Sequence, residues 1–241
     1  MRDTFSPMAA TDSRTDPPDA PVTMPRWRDI DTVFLDMDGT LLDLHFDIHF
    51  WQTHVPRRYA EHHGVSHDEA RALTLPHMRE IRGTLDWYNL HYWSEYLGMD
   101  IPALKQEVAH LIRLRPGVDD FLSWLRCAGK TLVLATNAHP DAVEIKFSRV
   151  ALGGCFHHIV SSHELAAPKE SAAFWRGMEG RLAFDAGRSM LVDDHAGVLD
   201  AAREYGIAWL VSIRQPDLKA PPQPSTGYPA LGHFRQIIPR D

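Results

Sequence analysis

The sequence predicts an α/β fold: a doubly wound parallel sheet covered by helices, with a helical module inserted after the first strand. Three observations carry that prediction. Short β-rich runs alternate with helix-like stretches through most of the chain, the pattern of strands joined by crossover helices. Each run is apolar on both faces, as strands buried on both sides should be. One stretch, residues 44–115, breaks the alternation, because it has no strand-like run and keeps helical spacing throughout.

The runs are "TVFLD" at residues 32–36, "TLVLATN" at 131–137, "HIVSS" at 158–162, "SMLVDD" at 189–194 and "AWLVSI" at 208–213. Helices are expected between them at 118–128 with Gly129 as a stop, at 141–152 opened by Pro140, at 171–181, and at 196–205 stopped by Gly206. The inserted stretch reads as helices through "FWQTHVPRRYAEHH", "SHDEARALTLPHMREIRG", "WYNLHYWSEYLG" and "IPALKQEVAHLIRL". Leaving the sheet just after the first strand and returning before Pro116-Gly117, it sits over the carboxyl ends of the strands, where open α/β sheets bind ligands. The expected organisation is a disordered N-terminal tail at 1–28, rich in proline and polar residues, a core domain built from 29–43 and 116–241, and a helical cap domain at 44–115. Near the C-terminus a Pro-rich linker precedes an apolar patch, residues 234–238, expected to dock back on the core.

With 241 residues, 44% hydrophobic and 24% charged, the chain can bury a real core. A net charge of −7 gives no basic footprint, so polymeric nucleic acid is not an expected partner. No stretch approaches the length of a membrane span, and the first residues lack the apolar segment of a secretory signal. Two cysteines, Cys127 and Cys155, make a poor disulfide framework, so a reducing cytoplasmic location is expected. The 15 histidines are scattered, without the spacings of a zinc site.

The first run ends in Asp36-Met37-Asp38-Gly39-Thr40. Residues two apart on an extended chain point the same way, so both carboxylates are expected to converge on one pocket. The second run ends in Thr136-Asn137, a hydroxyl and an amide suited to an anionic oxygen; the fourth ends in Asp193-Asp194; Lys169 follows the third, just before a helix. Four carboxylates in one site repel unless a cation neutralises them, which implies a hard divalent ion with oxygen ligands, Mg²⁺ by default. Taken singly, each element has a plainer explanation: Asn137 as a helix cap, Lys169 as a solvated charge, Asp193-Asp194 as a complement to a helix dipole. Their order along successive strand ends favours a shared site.

In "DMDGT", "TN", a lysine before a helix and "VDD", taken in this order, the sequence resembles the haloacid dehalogenase-like superfamily of hydrolases over residues 31–213. The resemblance implies that Asp36 is a nucleophile forming an aspartyl-phosphate and that Asp38 is the acid that protonates the leaving oxygen and then activates water. It implies that Thr136 and Asn137 bind phosphoryl oxygens, that Lys169 holds nucleophile and phosphate together, and that Mg²⁺ is bound by Asp36, the Asp38 carbonyl and Asp194, with Asp193 in support. One departure is the order Pro168-Lys169, reversed from the usual one. A second aspartate at position 38 argues for phosphoryl transfer, since dehalogenases need no acid for a halide and typically lack it.

The insert's "DLHFD" and "RGTLDWYNLHYW", with "TNAHPDAVEIKF" and "APKESAAFW" in the core, resemble the purine nucleotidase branch, enzymes acting on GMP and IMP. That implies a phosphomonoester hydrolase of the 5′-nucleotidase type, with a purine nucleoside monophosphate as its small-molecule partner. A phosphatase for a sugar phosphate or phosphoglycolate, or a phosphate-binding module without turnover, are the alternatives. Trp87 or Tyr88 is expected to stack on a base and Arg57, Arg58 or Arg82 to pair with phosphate or a base carbonyl, Arg82 and Trp87 being the leading candidates. Against that, Phe46, Phe50, Trp51, Trp87, Tyr88 and Trp93 recur at helical spacing, so most of them read as packing between the insert's helices.

Overall fold

β1 (Thr32–Leu35) lies between β2 (Thr131–Thr136) and β4 (Ser189–Val192) in a sheet that β3 (His158–Ser161) extends on one side and β5 (Trp209–Ile213) and β6 (Ala230–Leu231) on the other. Every pairing is parallel. This computed structural model describes residues 25–239. The tail expected at 1–28 lies outside the described residues up to position 24. Residues 25–28 already carry structure: Trp27 is buried in a short 3-10 turn, and its indole Nε1 donates to the Ile237 carbonyl at 2.9 Å.

The sheet separates two apolar layers because successive side chains on a strand point to opposite faces. Val33 and Leu35 enter one core with Leu132, Leu134 and Val192, while Phe34 enters the other with Val133, Leu191 and Trp175. β1 is buried along its whole length. β3 is not: His158 and Ile159 are exposed, so the expectation of burial on both faces fails there because this strand is the sheet's edge.

The crossover helices are α7 (Val118–Cys127), α8 (Pro140–Phe147), α9 (Ala172–Arg181) and α10 (Ala196–Tyr205), preceded in the chain by α1–α6 of the insert. Gly129 and Gly206 follow the ends of α7 and α10 at φ of +68° and +112°, the left-handed conformation that stops a helix at little cost with glycine. α8 ends five residues before the expected position 152. Ser148 Oγ donates back to the Ile145 carbonyl at 2.7 Å, giving the backbone a local alternative to helix.

The insert comprises α1 (His45–His49), a π-helical turn (Phe50–His54), α2 (Val55–His63), α3 (His67–Glu80), α4 (Leu85–Tyr88), α5 (Leu90–Leu97) and α6 (Ile101–Glu107). A Ser66–Glu69 capping box opens α3, and Gly64 and Gly98 in the left-handed region close α2 and α5. Its two connections to the sheet run side by side: the Asp43 amide donates to the Arg113 carbonyl and the Arg115 amide to the Leu41 carbonyl, each at 2.9 Å. The Arg115 guanidinium ties this crossing to the loop after β5 through the Gln215 and Pro216 carbonyls.

The C-terminal patch docks as the sequence indicates. Phe234 and Ile237 are buried, and the Phe234 ring lies 5.1 Å from Phe121 of α7. β6 lies in the segment read as a linker, and a two-residue strand leaves no periodic signal to detect. Both cysteines are free, and among the described residues no helix is long and apolar enough to cross a membrane.

Removing a buried phenyl ring leaves a cavity as well as losing apolar transfer energy. Phe234→Ala is therefore expected to lower unfolding free energy by about 3–5 kcal/mol in urea titrations, with an unchanged denaturant slope.

Candidate active site

The sheet's register gathers the chemistry. Leu35 pairs with Leu134 on one side and Val192 on the other, so the residues that follow, Asp36 and Asp193, emerge beside each other where the strands end. The Asp36 amide donates to the Val192 carbonyl at 3.0 Å, extending the ladder by one step. The chain then turns: the Leu41 and Leu42 amides both donate to the Met37 carbonyl, at 3.0 and 2.8 Å. Asp36 and Asp38 do share a cavity, but by way of this turn rather than strand alternation, since β1 stops at Leu35.

Lys169 reaches into the same place from the loop before α9. Its ammonium lies 2.5 Å from Asp36 Oδ1 and 2.7 Å from Asp193 Oδ2, and all three residues are buried. Burial alone lowers a lysine's pKa, but the two carboxylates outweigh it and hold Lys169 charged. Burial pushes Asp36 up to about 6, with Lys169 opposing the rise and Asp193 adding to it. Asp194 is raised well above the usual carboxylate range, first by burial and then by Asp36 and Asp193.

Asp36, Asp193 and Asp194 each offer a carboxylate oxygen, and these oxygens all lie within 4.8 Å of one another. Three carboxylates against one ammonium leave two negative charges in excess, which a divalent cation would cancel. Asp36 Oδ2 is buried without a hydrogen-bond partner among the described residues. An all-oxygen, doubly negative donor set with an orphaned oxygen fits a hard divalent ion. Gly39 lets Asp194 approach: at φ +82°, a Cβ there would fall 2.6 Å from Asp194 Oδ2.

Thr136 and Asn137 line the cavity from the end of β2. The Thr136 hydroxyl oxygen accepts from the Ala138 amide at 3.0 Å, which leaves its own hydrogen available. Asn137 is more engaged than its place suggests: Oδ1 accepts from the Lys169 amide at 2.9 Å and Nδ2 donates to Glu170 Oε2 at 3.0 Å. Its side chain thus fixes the lysine loop to the end of β2.

Asp38 faces the other way, toward Lys146 of α8. The ammonium is 2.6 Å from Asp38 Oδ1, a close ion pair misaligned for a hydrogen bond. Burial raises Asp38 to about 6, with Lys146 opposing and Asp47 and Asp36 adding to the rise. Lys146 also donates to Asp47 Oδ2, and Lys105 of the insert donates to Asp47 Oδ1. Sequence reasoning missed Lys146, Asp47 and Lys105. A signal was present: Lys105 falls on the stripe of Ile101, Leu104 and Val108, and Lys146 sits among Ala142, Val143 and Ile145, positions where helical period calls for apolar residues.

The cavity measures about 520 Å³, within the roughly 300–1,000 Å³ usual for small-molecule sites. Trp51, Arg82, Trp87 and Tyr88 line its insert side, and Glu170 and His195 line its core side. Arg82 is exposed at the mouth, close enough to lower the His195 pKa after burial and Glu170 have acted. Trp93 is fully buried and donates from Nε1 to the Trp87 carbonyl at 2.9 Å, setting the position of α4. Arg57 and Arg58 do not line the cavity; Arg58 pairs with Glu61 and Glu107 on the insert's outer side.

Residues 30–206 match the family model described as haloacid dehalogenase-like hydrolase. The chain is 37% identical over 213 residues, 88% of its length and 96% of the relative's, to GMP/IMP nucleotidase YrfG of Escherichia coli and equally to that of Shigella flexneri. Among solved structures, the HAD phosphatase from Thermococcus onnurineus superposes with a TM-score of 0.68 at 23% identity, covering 76% of this chain and 86% of that one. A putative beta-phosphoglucomutase from Thermotoga maritima gives 0.61 at 21%, covering 86% and 96%.

Lys169→Met leaves Asp36 and Asp193 buried without their cation, and loss of one partner from a buried ion pair costs about 3–5 kcal/mol. A carboxyl whose folded pKa lies above its unfolded value binds more protons when folded, so its favourable contribution is complete below the unfolded value and is lost as pH rises through the folded one. The variant raises these folded pKa values further. In chelator-treated protein, its stability deficit against wild type is expected to be larger at pH 7.5 than at pH 5 by urea titration.

Proposed function

The chain belongs to the haloacid dehalogenase-like hydrolases, and from that premise we propose that it hydrolyses phosphomonoesters through Asp36, with purine nucleoside monophosphates as substrates. The observation that carries this reading is Lys169 clamped between Asp36 and Asp193 at the strand ends. The clamp holds one oxygen of Asp36 and leaves Oδ2 without a partner among the described residues, in a residue that lines the cavity. A fixed carboxylate with a free oxygen beside a retained positive charge is suited to attack on phosphorus, where positioning and electrostatics dominate.

In the first half-reaction an Asp36 oxygen bonds to phosphorus, the phosphorus–ester oxygen bond breaks, and Asp38 gives its proton to the departing alcohol. In the second, water attacks phosphorus, Asp38 takes its proton, and Asp36 is released as the carboxylate with inorganic phosphate. Lys169 offsets the repulsion between the anionic substrate and Asp36, and Thr136 donates its hydroxyl hydrogen to a phosphoryl oxygen. Asp36, Asp194 and the Asp38 carbonyl would hold Mg²⁺, with Asp193 in support; when bound, the ion neutralises charge on the phosphoryl oxygens.

Residues 44–115 act in this reading as a cap on a core of 29–43 and 116–241, screening the reaction from water. Trp87 and Tyr88 offer flat faces to a base and Arg82 a fork of donors to a base carbonyl. The nucleotidases similar to this chain at 37% identity support a purine monophosphate over other phosphate esters.

A panel of phosphomonoesters with Mg²⁺, read by phosphate release, tests the assignment. The highest kcat/KM is expected for 5′-GMP and 5′-IMP; a higher value for a sugar phosphate or phosphoglycolate would reassign the substrate. Asp36→Asn is expected to lower turnover by at least about 10³-fold while the fold is retained. Chelation is expected to abolish phosphate release and added Mg²⁺ to restore it.

A further inference from the structure

Resting on that reading, the acid that protonates the leaving group needs a fixed direction, and nothing in the nucleophile's clamp supplies it. Asp38 belongs instead to a second charged chain. Lys146 of α8 sits 2.6 Å from Asp38 and 2.8 Å from Asp47 of α1, and Lys105 of α6 sits 2.9 Å from the other Asp47 oxygen. With Asp38 ionised the signs alternate along the chain and cancel; with Asp38 protonated, Asp47 still stands between the two ammonium groups. Both lysines are buried, and the Lys105 ammonium lies 4.4 Å from the centre of the Phe50 ring and 4.9 Å from that of Phe46.

Packing alone does not account for this arrangement. Burying each ion carries a desolvation penalty before its partner is counted, and apolar residues of similar volume commonly fill such space as well or better. A chain of charges does supply direction: each link fixes the next within hydrogen-bond or ion-pair reach. This one begins at Asp38 in the turn after β1, passes through Lys146 of a core helix and ends in the insert with Asp47 and Lys105 on two different helices.

We propose that Lys146 is a positioning residue for the leaving-group step, holding the Asp38 carboxyl toward the departing ester oxygen, and that Asp47 and Lys105 hold Lys146 so that seating of the insert sets this direction. Lys146 keeps its own protons. The proton that moves is that of Asp38, passing to the ester oxygen as its bond to phosphorus breaks and the bond from Asp36 forms.

Leaving groups separate this role from general support of the fold. A nucleoside alkoxide is a strong base and needs the proton, whereas 4-nitrophenolate is a weak one and departs without it. kcat/KM reports the steps through expulsion of the leaving group, so later hydrolysis of the phosphoenzyme does not enter. For Lys146→Met in the full chain with Mg²⁺, kcat/KM for 5′-GMP is expected to fall by about 10²-fold or more, the range a general acid contributes, and that for 4-nitrophenyl phosphate only a few-fold. Asp38→Asn is expected to show the same split, and the double variant to be no worse than Asp38→Asn alone. Asp47→Asn, which loosens Lys146 while keeping its charge, should give a smaller split of the same kind, and Lys146→Arg should recover part of the loss on GMP.

Equal losses on both esters for Lys146→Met and Asp47→Asn, with the split intact in Asp38→Asn, would overturn the proposal and leave the catalytic reading standing. Additive losses in the double variant would do the same. Absence of the split in Asp38→Asn would remove the acid itself, and the proposed function and this inference would fall together.

Discussion

Lys169 lies buried between Asp36 and Asp193, and much of what surrounds the strand ends follows from keeping an ammonium charged there. A lone buried amine tends to give up its proton, and the two carboxylates beside Lys169 oppose that. Parallel register provides them without strain, because β1 and β4 end side by side and the next residue on each is an aspartate. Asp194 then raises the excess from one negative charge to two. The surplus gives the strand ends a donor set that fits a divalent cation, and it leaves one buried Asp36 oxygen without a hydrogen-bond partner among the described residues.

A second constraint comes from the insert. Its two connections run side by side at residues 41–43 and 113–115, a narrow crossing anchored by Arg115 to the loop after β5. A module held at such a crossing needs further contacts to be seated over the site, and Asp47 supplies one. Burial pushes Asp47 up, yet Lys105 and Lys146 more than offset that and hold it at about 2, so it remains an anion wherever the protein is folded at ordinary pH. The His91–Asp141 contact at 3.0 Å adds a more exposed tie between α5 and α8. The cavity and the ion pairs of Asp38 and Asp47 are thus built from the insert and the sheet together.

The strands of the sheet were legible because each is an apolar run that ends abruptly in polar residues, and the chemistry of the strand ends was legible for the same reason. "TVFLD" and "SMLVDD" announce both where the chain is buried and where it stops being so. β6 was not legible, since two residues carry no period, and neither was the exposure of β3, since edge position depends on strand order. The charged chain through Lys146 was hidden for a different reason. Its partners stand 58 and 99 positions from Asp47, and their meeting depends on how the insert sits on the sheet. Only the lysines on apolar stripes hinted at it. In the insert, Phe46, Phe50 and Trp93 pack as their spacing indicates, whereas Trp51 lines the cavity beside Trp87, a distinction that helical period does not make.

In the proposed reaction an oxygen of Asp36 becomes phosphorylated, as a mixed anhydride, during turnover. Acid quenching within the first turnovers on phosphorus-labelled 5′-GMP, followed by borohydride reduction and peptide mass mapping, tests it directly. Protein-bound label is expected, and reduction is expected to leave homoserine at position 36. Label at another carboxylate, or rapid phosphate release with no protein-bound label at any quench time, would contradict it.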